Sequence, residues 1–171
     1  MASKIFLIDA NSIITPYRAY YPFDLAGSFW SQLSQHIEEG QVAILDVILD
    51  EILKGNDDLT KWIKAIDIKN SIDHRESQTL VYYAQILQFI QSSPLYRQSA
   101  LAEWSKASVA DPWLIAAAKS HGYSIVTLEE GNSNPNPKSP WKAAKIPDIA
   151  AEFGVEVVNL FAMMRELKFR L

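Results

Sequence analysis

The sequence predicts an α/β protein in which a largely parallel sheet is covered by helices on both faces. Three observations point there. The short runs Lys4–Ile8 ("KIFLI"), Val42–Leu45 ("VAIL") and Ser124–Thr127 ("SIVT") are too uniformly apolar for strands with one wet face. Such runs mark strands buried on both sides. Segments with helical periodicity separate them, as expected of strands joined by crossover helices. The composition, 49% apolar and 21% charged over 171 residues, is that of a globular chain. A chain of this length buries a sizeable core as one domain, residues 1–171.

Each element has its own signals. "KIFLI" reads as a buried strand that Asp9 ends. Asp24 is a candidate cap for a helix in which Leu25, Phe29, Leu33 and Ile37 recur every four residues, with Gly40 as its stop. "VAIL" is the second strand, and Asp46 then caps the helix "VILDEILK", which Gly55 terminates. The middle of the chain reads as all-helical. "DDLTKWIKAID" is short and amphipathic, and from Glu76 to Gln91 one helical face collects Leu80, Tyr83, Ala84, Leu87 and Ile90. Pro94 breaks that helix and another follows through Trp104. A small-residue helix beginning at Asp111–Pro112 ends at Gly122 and leads into "SIVT". Residues 131–145, "GNSNPNPKSPWKAAK", form a loop. The chain closes with a short helix "IPDIAAEFG", a strand "VEVVNL" and a helix "FAMMRELKFRL".

Composition also excludes function classes. There is no cysteine, so disulfides, thiolate nucleophiles and cysteine-bound zinc are ruled out. No apolar run is long enough to span a bilayer, and the N-terminal one is short and cut by Asp9, so no signal peptide is expected. A cytoplasmic protein is the expectation. The net charge of −4 argues against non-specific nucleic-acid binding by the whole surface. A nuclease stays open, because a carboxylate cluster is negative until cations bind it.

In a parallel sheet, strand C-termini and the N-termini of the following helices share one edge, where ligands of open α/β sheets bind. Asp9 and Glu129 follow strands, Asp111 starts a helix, and Glu51 lies little more than one turn into the helix after "VAIL". Topology therefore predicts that four carboxylates converge. Each has an ordinary alternative. Asp111 before Pro112 reads as an N-cap with a first-turn proline. Glu51 reads as a solvated helix residue, although Ile48 and Ile52 flank it, and Glu129 as a turn residue that Glu130 could replace. Asp9 is the least ordinary, since a buried acid after "IFLI" needs a partner. Clustered carboxylates raise one another's pKa unless neutralised, and all-oxygen sites suit Mg²⁺ or Mn²⁺. Such ions activate water for phosphodiester cleavage. In the loop after Glu129, Lys138, Lys142 and Lys145 are candidate phosphate contacts, and Trp141 offers a base-stacking surface unless it is tucked against the core.

Other enzyme classes lack their signatures. "DANSIITP" contains no glycine, against a dinucleotide fold or P-loop, and no second aspartate follows Asp9 as in haloacid-dehalogenase-like phosphatases. No G-x-S-x-G elbow is present. His36, His74 and His121 show no metal-ligand spacing and read as structural.

The pieces "IDANS" with Asp9, "ILDEILKG" with Glu51, "DPWLIAAAKSHGYSIVT" with Asp111 and the acid just after "VT", Glu129, resemble the PIN-domain family in order and spacing. These are metal-dependent ribonucleases that include many bacterial toxin–antitoxin toxins. The resemblance covers nearly the whole chain and suggests an uncharacterised PIN-like subfamily. It implies a three-layer α/β/α sandwich with a mostly parallel sheet of about five strands. It implies an Mg²⁺- or Mn²⁺-dependent endoribonuclease, with Asp9, Glu51, Asp111 and Glu129 as metal-binding catalytic acids. Asn11 and Thr127 match positions that hydrogen-bond those acids. The implied partners are RNA, an antitoxin protein and a second copy of the chain, with no membrane. The fourth acid departs from the family, where it is usually aspartate before a short turn; here "LEEGN" opens a long loop. That departure keeps open a weak or inactive PIN-like module that binds RNA or protein without cutting.

Overall fold

The apolar runs form the middle of one sheet in a computed structural model that describes residues 2–171. Its strands are β1 (Phe6–Ile8), β2 (Val42–Leu45), β3 (Ser71–Ile72), β4 (Ser124–Val126) and β5 (Val157–Val158), in the order β3-β2-β1-β4-β5. Every neighbouring pair is parallel. All residues of β1, β2 and β4 are buried, so helices cover both faces, as uniformly apolar parallel strands require.

The helices are α1 (Asn11–Thr15), continued by a π-helical turn over Pro16–Tyr20, then α2 (Gly27–Glu38), α3 (Asp46–Leu53), α4 (Asp58–Lys64) and α5 (Ser77–Ser92). After these come α6 (Gln98–Trp104), α7 (Asp111–His121), α8 (Ile146–Glu152) and α9 (Leu160–Glu166). Gly122 ends α7 in the left-handed conformation, φ 72°, which glycine adopts at no steric cost. The chain then turns straight into β4.

Three details differ from the sequence reading. The supposedly all-helical middle contains β3, the fifth strand. It is a two-residue edge strand with only Ile72 buried, too short to show any periodicity. Asp24 caps nothing: the Pro22 carbonyl accepts from Leu25 and Ala26 in a turn, α2 starts at Gly27, and Leu25 is 81% exposed. On α5 the buried residues are Thr79, Ile86 and Ile90, while Leu80 is 44% exposed. The stripe is rotated because α5 packs along α7, whose Trp113 stacks on Tyr83 at 3.6 Å.

The strand order positions the site. The chain steps from β1 outward through β2 to β3, then returns to place β4 on the other side of β1. The order reverses between β1 and β4, and crevices at such switch points take ligands.

Candidate metal centre

Asp9 is the first residue past β1 and is 6% exposed. A buried carboxylate needs donors. Its Oδ1 accepts from the Ala10 N–H at 2.8 Å and its Oδ2 from the Thr127 hydroxyl at 2.8 Å. Thr127 is the first residue past β4, so this bond spans the switch point. The same hydroxyl accepts from the Asn11 side-chain amide at 3.1 Å and from the Glu129 N–H at 3.1 Å. One donation and two acceptances use all that a hydroxyl has. Asn11 thus reaches the acid through Thr127 rather than directly. Its Oδ1 also accepts from the Leu128 N–H at 3.1 Å, which fixes the chain leaving β4.

Asp111 begins α7, but Ala110 holds the cap position and no side-chain capping bond forms. The capping explanation of this acid therefore fails. Burial pushes its pKa up to about 7, with the charges of Asp9, Glu129 and Glu51 acting in the same direction and Lys145 opposing. Asp9 rises to about 6, chiefly through burial, against the lowering effect of the Thr127 and Ala10 donors and with the charges of Glu129 and Glu51 adding. Acids from β1, α3, α7 and the β4 exit thus share one electrostatic field. Glu51 is exposed on α3 and enters only through its charge. Glu129, not the exposed Glu130, is the acid that acts on Asp9 and Asp111.

Glu129 has partners of its own. Its Oε1 lies 3.2 Å from the Lys145 ammonium, and its Oε2 accepts from the Ile146 N–H at 2.7 Å at the start of α8. Lys145 is therefore an internal partner of the acid cluster, not the free loop cation the sequence suggested. Trp141 is also held. Its Nε1 donates to the Ser133 carbonyl at 3.1 Å, its ring packs on Tyr96 at 5.3 Å, and its backbone bonds Leu95 and Arg97. The ring is thus held in place, while the residue stays half-buried. Lys138 and Lys142 remain exposed.

A second group was missed. Asp46 follows β2, Asp73 and His74 follow β3, and their candidate ligand atoms lie within 4.8 Å of one another. Asp46 Oδ2 is 2.7 Å from His74 Nδ1, and Oδ1 accepts from the N–H groups of Val47 and His74. Asp73 pairs with Arg75 at 3.0 Å, and the His74 ring stands edge-on to Trp113 at 4.8 Å. This group clasps the ends of β2 and β3, and it puts His74 among candidate ligand residues although its spacing in the sequence showed no such pattern. The signal was an acid directly after "VAIL", read only as a cap.

The acids fit a hard divalent cation. Asp9 uses one lone pair on each oxygen and keeps the others, Asp111 has no capping role, and a cation would offset charges that burial disfavours. Among the described residues, however, it is Asp46, Asp73 and His74, not these four acids, that bring three candidate ligand atoms within 4.8 Å of one another.

The parallel order β3-β2-β1-β4-β5, with helices on both faces, defines a PIN-like α/β domain. The chain belongs to the family described as Domain of unknown function (DUF4411), which it matches over residues 6–171. It is similar to a chain of VapBC2 from Rickettsia felis, solved bound to a DNA fragment from their promoter, at 14% identity and a TM-score of 0.54, covering 91% of this chain and 98% of that one. It is also similar to a chain of FitAcB from Neisseria gonorrhoeae, at 17% identity and a TM-score of 0.52, covering 92% of this chain and 99% of that one. For DNA-bound VapBC from Salmonella typhimurium the values are 14%, 0.51, 92% and 99%. No curated protein matches the sequence. Among the described residues, no helix is long and apolar enough to cross a membrane.

Proposed function

We propose that this chain is an Mg²⁺- or Mn²⁺-dependent endoribonuclease, acting as the toxin of a toxin–antitoxin pair. The observation that carries the reading is the placement of two buried acids at the switch point: burial raises the proton affinity of both, the charge of Asp9 raises that of Asp111 further, and Asp111 has no capping role. Kinship in fold with chains of VapBC and FitAB assemblies supports an antitoxin partner.

Asp9 and Asp111 would hold the cation, with Glu51 and Glu129 supplying further negative charge. When bound, the cation lowers the pKa of a bound water and offsets charge building on the phosphate. Thr127 keeps one Asp9 oxygen turned toward β4, and Asn11 keeps Thr127 in that rotamer, the kind of outer support on which cation affinity depends. Lys138 and Lys142 would contact RNA phosphates.

Single-stranded RNA incubated with the purified chain tests this. Cleavage should require Mg²⁺ or Mn²⁺, stop with EDTA, and vanish in Asp9→Asn and Asp111→Asn. Full Mn²⁺-dependent activity in folded Asp111→Asn would refute the assignment. One observation favours a second reading, an RNA-binding module that does not cut: Glu129 is already engaged by Lys145 and Ile146. RNA binding without cleavage under every metal condition would establish it.

A further inference from the structure

The proposed site carries its own cation. Both Glu129 oxygens are engaged, one by the Lys145 ammonium at 3.2 Å and one by the Ile146 N–H at 2.7 Å. The two donors are adjacent in sequence, one the last residue of the long loop and the other the first of α8. Glu129 thereby ties the β4 exit to the start of α8 and holds Lys145 against the cluster. Its own N–H is bound to the Thr127 hydroxyl that also serves Asp9, so the tether and the buried acid share one hydrogen-bond node. The Glu129 side chain is 20% exposed and that of Lys145 38%, so solvent screens this pair less than an open surface pair. Lys145 is close enough to the cluster that its charge favours the ionised form of Asp111.

Charge arithmetic gives this a consequence. With all four carboxylates ionised, as cation binding would require, and one fixed ammonium, the cluster carries a net charge of −3, from −4 and +1. One divalent cation leaves −1, whereas two would leave +1 and would need Glu129, whose oxygens face donors. We infer that Lys145 is a resident counter-cation held by Glu129, and that the cluster accepts a single divalent ion on Asp9 and Asp111. Glu129 is then a positioning residue rather than a metal ligand. The inference rests on the metal-site reading of those two acids.

The test counts ions and needs no activity. Mn²⁺ titrated into the intact protein is followed by the paramagnetic resonance of the free ion, for the wild type, Lys145→Met and Lys145→Arg. The wild type and Lys145→Arg should each bind one Mn²⁺ per chain. Lys145→Met, which frees Glu129 and removes the ammonium, should bind a second. If the wild type binds two ions, or if folded Lys145→Met still binds one with unchanged affinity, the counter-cation role is wrong and the metal-site reading stands. If the wild type binds none, both fall. Should Lys145→Met not fold, Lys145→Gln removes the charge with a polar side chain and is judged by the same counts.

Discussion

Replacing Asp111 by asparagine should stabilise the metal-free protein at neutral pH, a result opposite to that of most buried substitutions. The magnitude follows from the pKa, raised from an ordinary 3.8 to about 7. Below pH 4 both folded and unfolded chains hold the proton and the acid costs nothing. As pH climbs, the unfolded chain ionises first, so folding loses about 1.4 kcal/mol per pH unit from this group until pH 7, where the loss is complete. The accumulated penalty is about 4 kcal/mol, and asparagine removes it. The new amide must be desolvated without a capping bond, which takes back about 1–3 kcal/mol. The net gain at pH 8 is therefore about 1–3 kcal/mol, shrinking to nothing or reversing at pH 4. Urea denaturation with EDTA between pH 4 and 8 measures it. Saturating Mn²⁺ should restore the wild type by about 2.7 kcal/mol at a hundredfold excess over Kd, and the variant by far less. If Asp111→Asn is no more stable than the wild type at pH 8 and gains equally from Mn²⁺, the acids do not form one site.

Other perturbations probe the supports. Thr127→Val removes the hydroxyl node and leaves Asp9 short of a donor, so it should cost about 1–3 kcal/mol and weaken Mn²⁺ binding ten- to a hundredfold; calorimetric titration checks both, and unchanged affinity would separate Thr127 from the site. His74→Ala opens the clasp between β2 and β3 and should lower stability by about 1–2 kcal/mol while Mn²⁺ affinity holds; a loss of Mn²⁺ binding would show that the Asp46 group is part of the metal centre. Changing Lys138 and Lys142 to alanine should weaken RNA binding and flatten its salt dependence. An unchanged slope of log affinity against log salt would place the RNA path elsewhere.

The sheet and the acid edge were legible because their causes are local. "VAIL" and the core of "KIFLI" and "SIVT" are strands, as short apolar runs rich in β-branched residues and bounded by turn signals favour when both faces are covered. Asp9 and Asp111 were placed by connectivity alone, because a parallel crossover puts every strand end and helix start on one side. What sequence left open turned on contacts between distant segments. Two-residue β3 exists because β2 offers an open edge, with Ile44 opposite Ser71, and no pattern in "NSIDH" announces it. Whether Asp111 was a cap or a buried acid depended on how far long-range packing buried it and, after that, on how near it brought Asp9 and Glu129, and local signals could not separate the two. The loop after β4 was composition without position: only the folded chain turns Lys145 back onto Glu129, packs Trp141 beside Tyr96 and leaves Lys138 exposed. Sequence sets which side chains can carry charge or bury themselves. Long-range packing decides which of those charges meet, because Coulomb energy and desolvation depend on distances that no local pattern encodes.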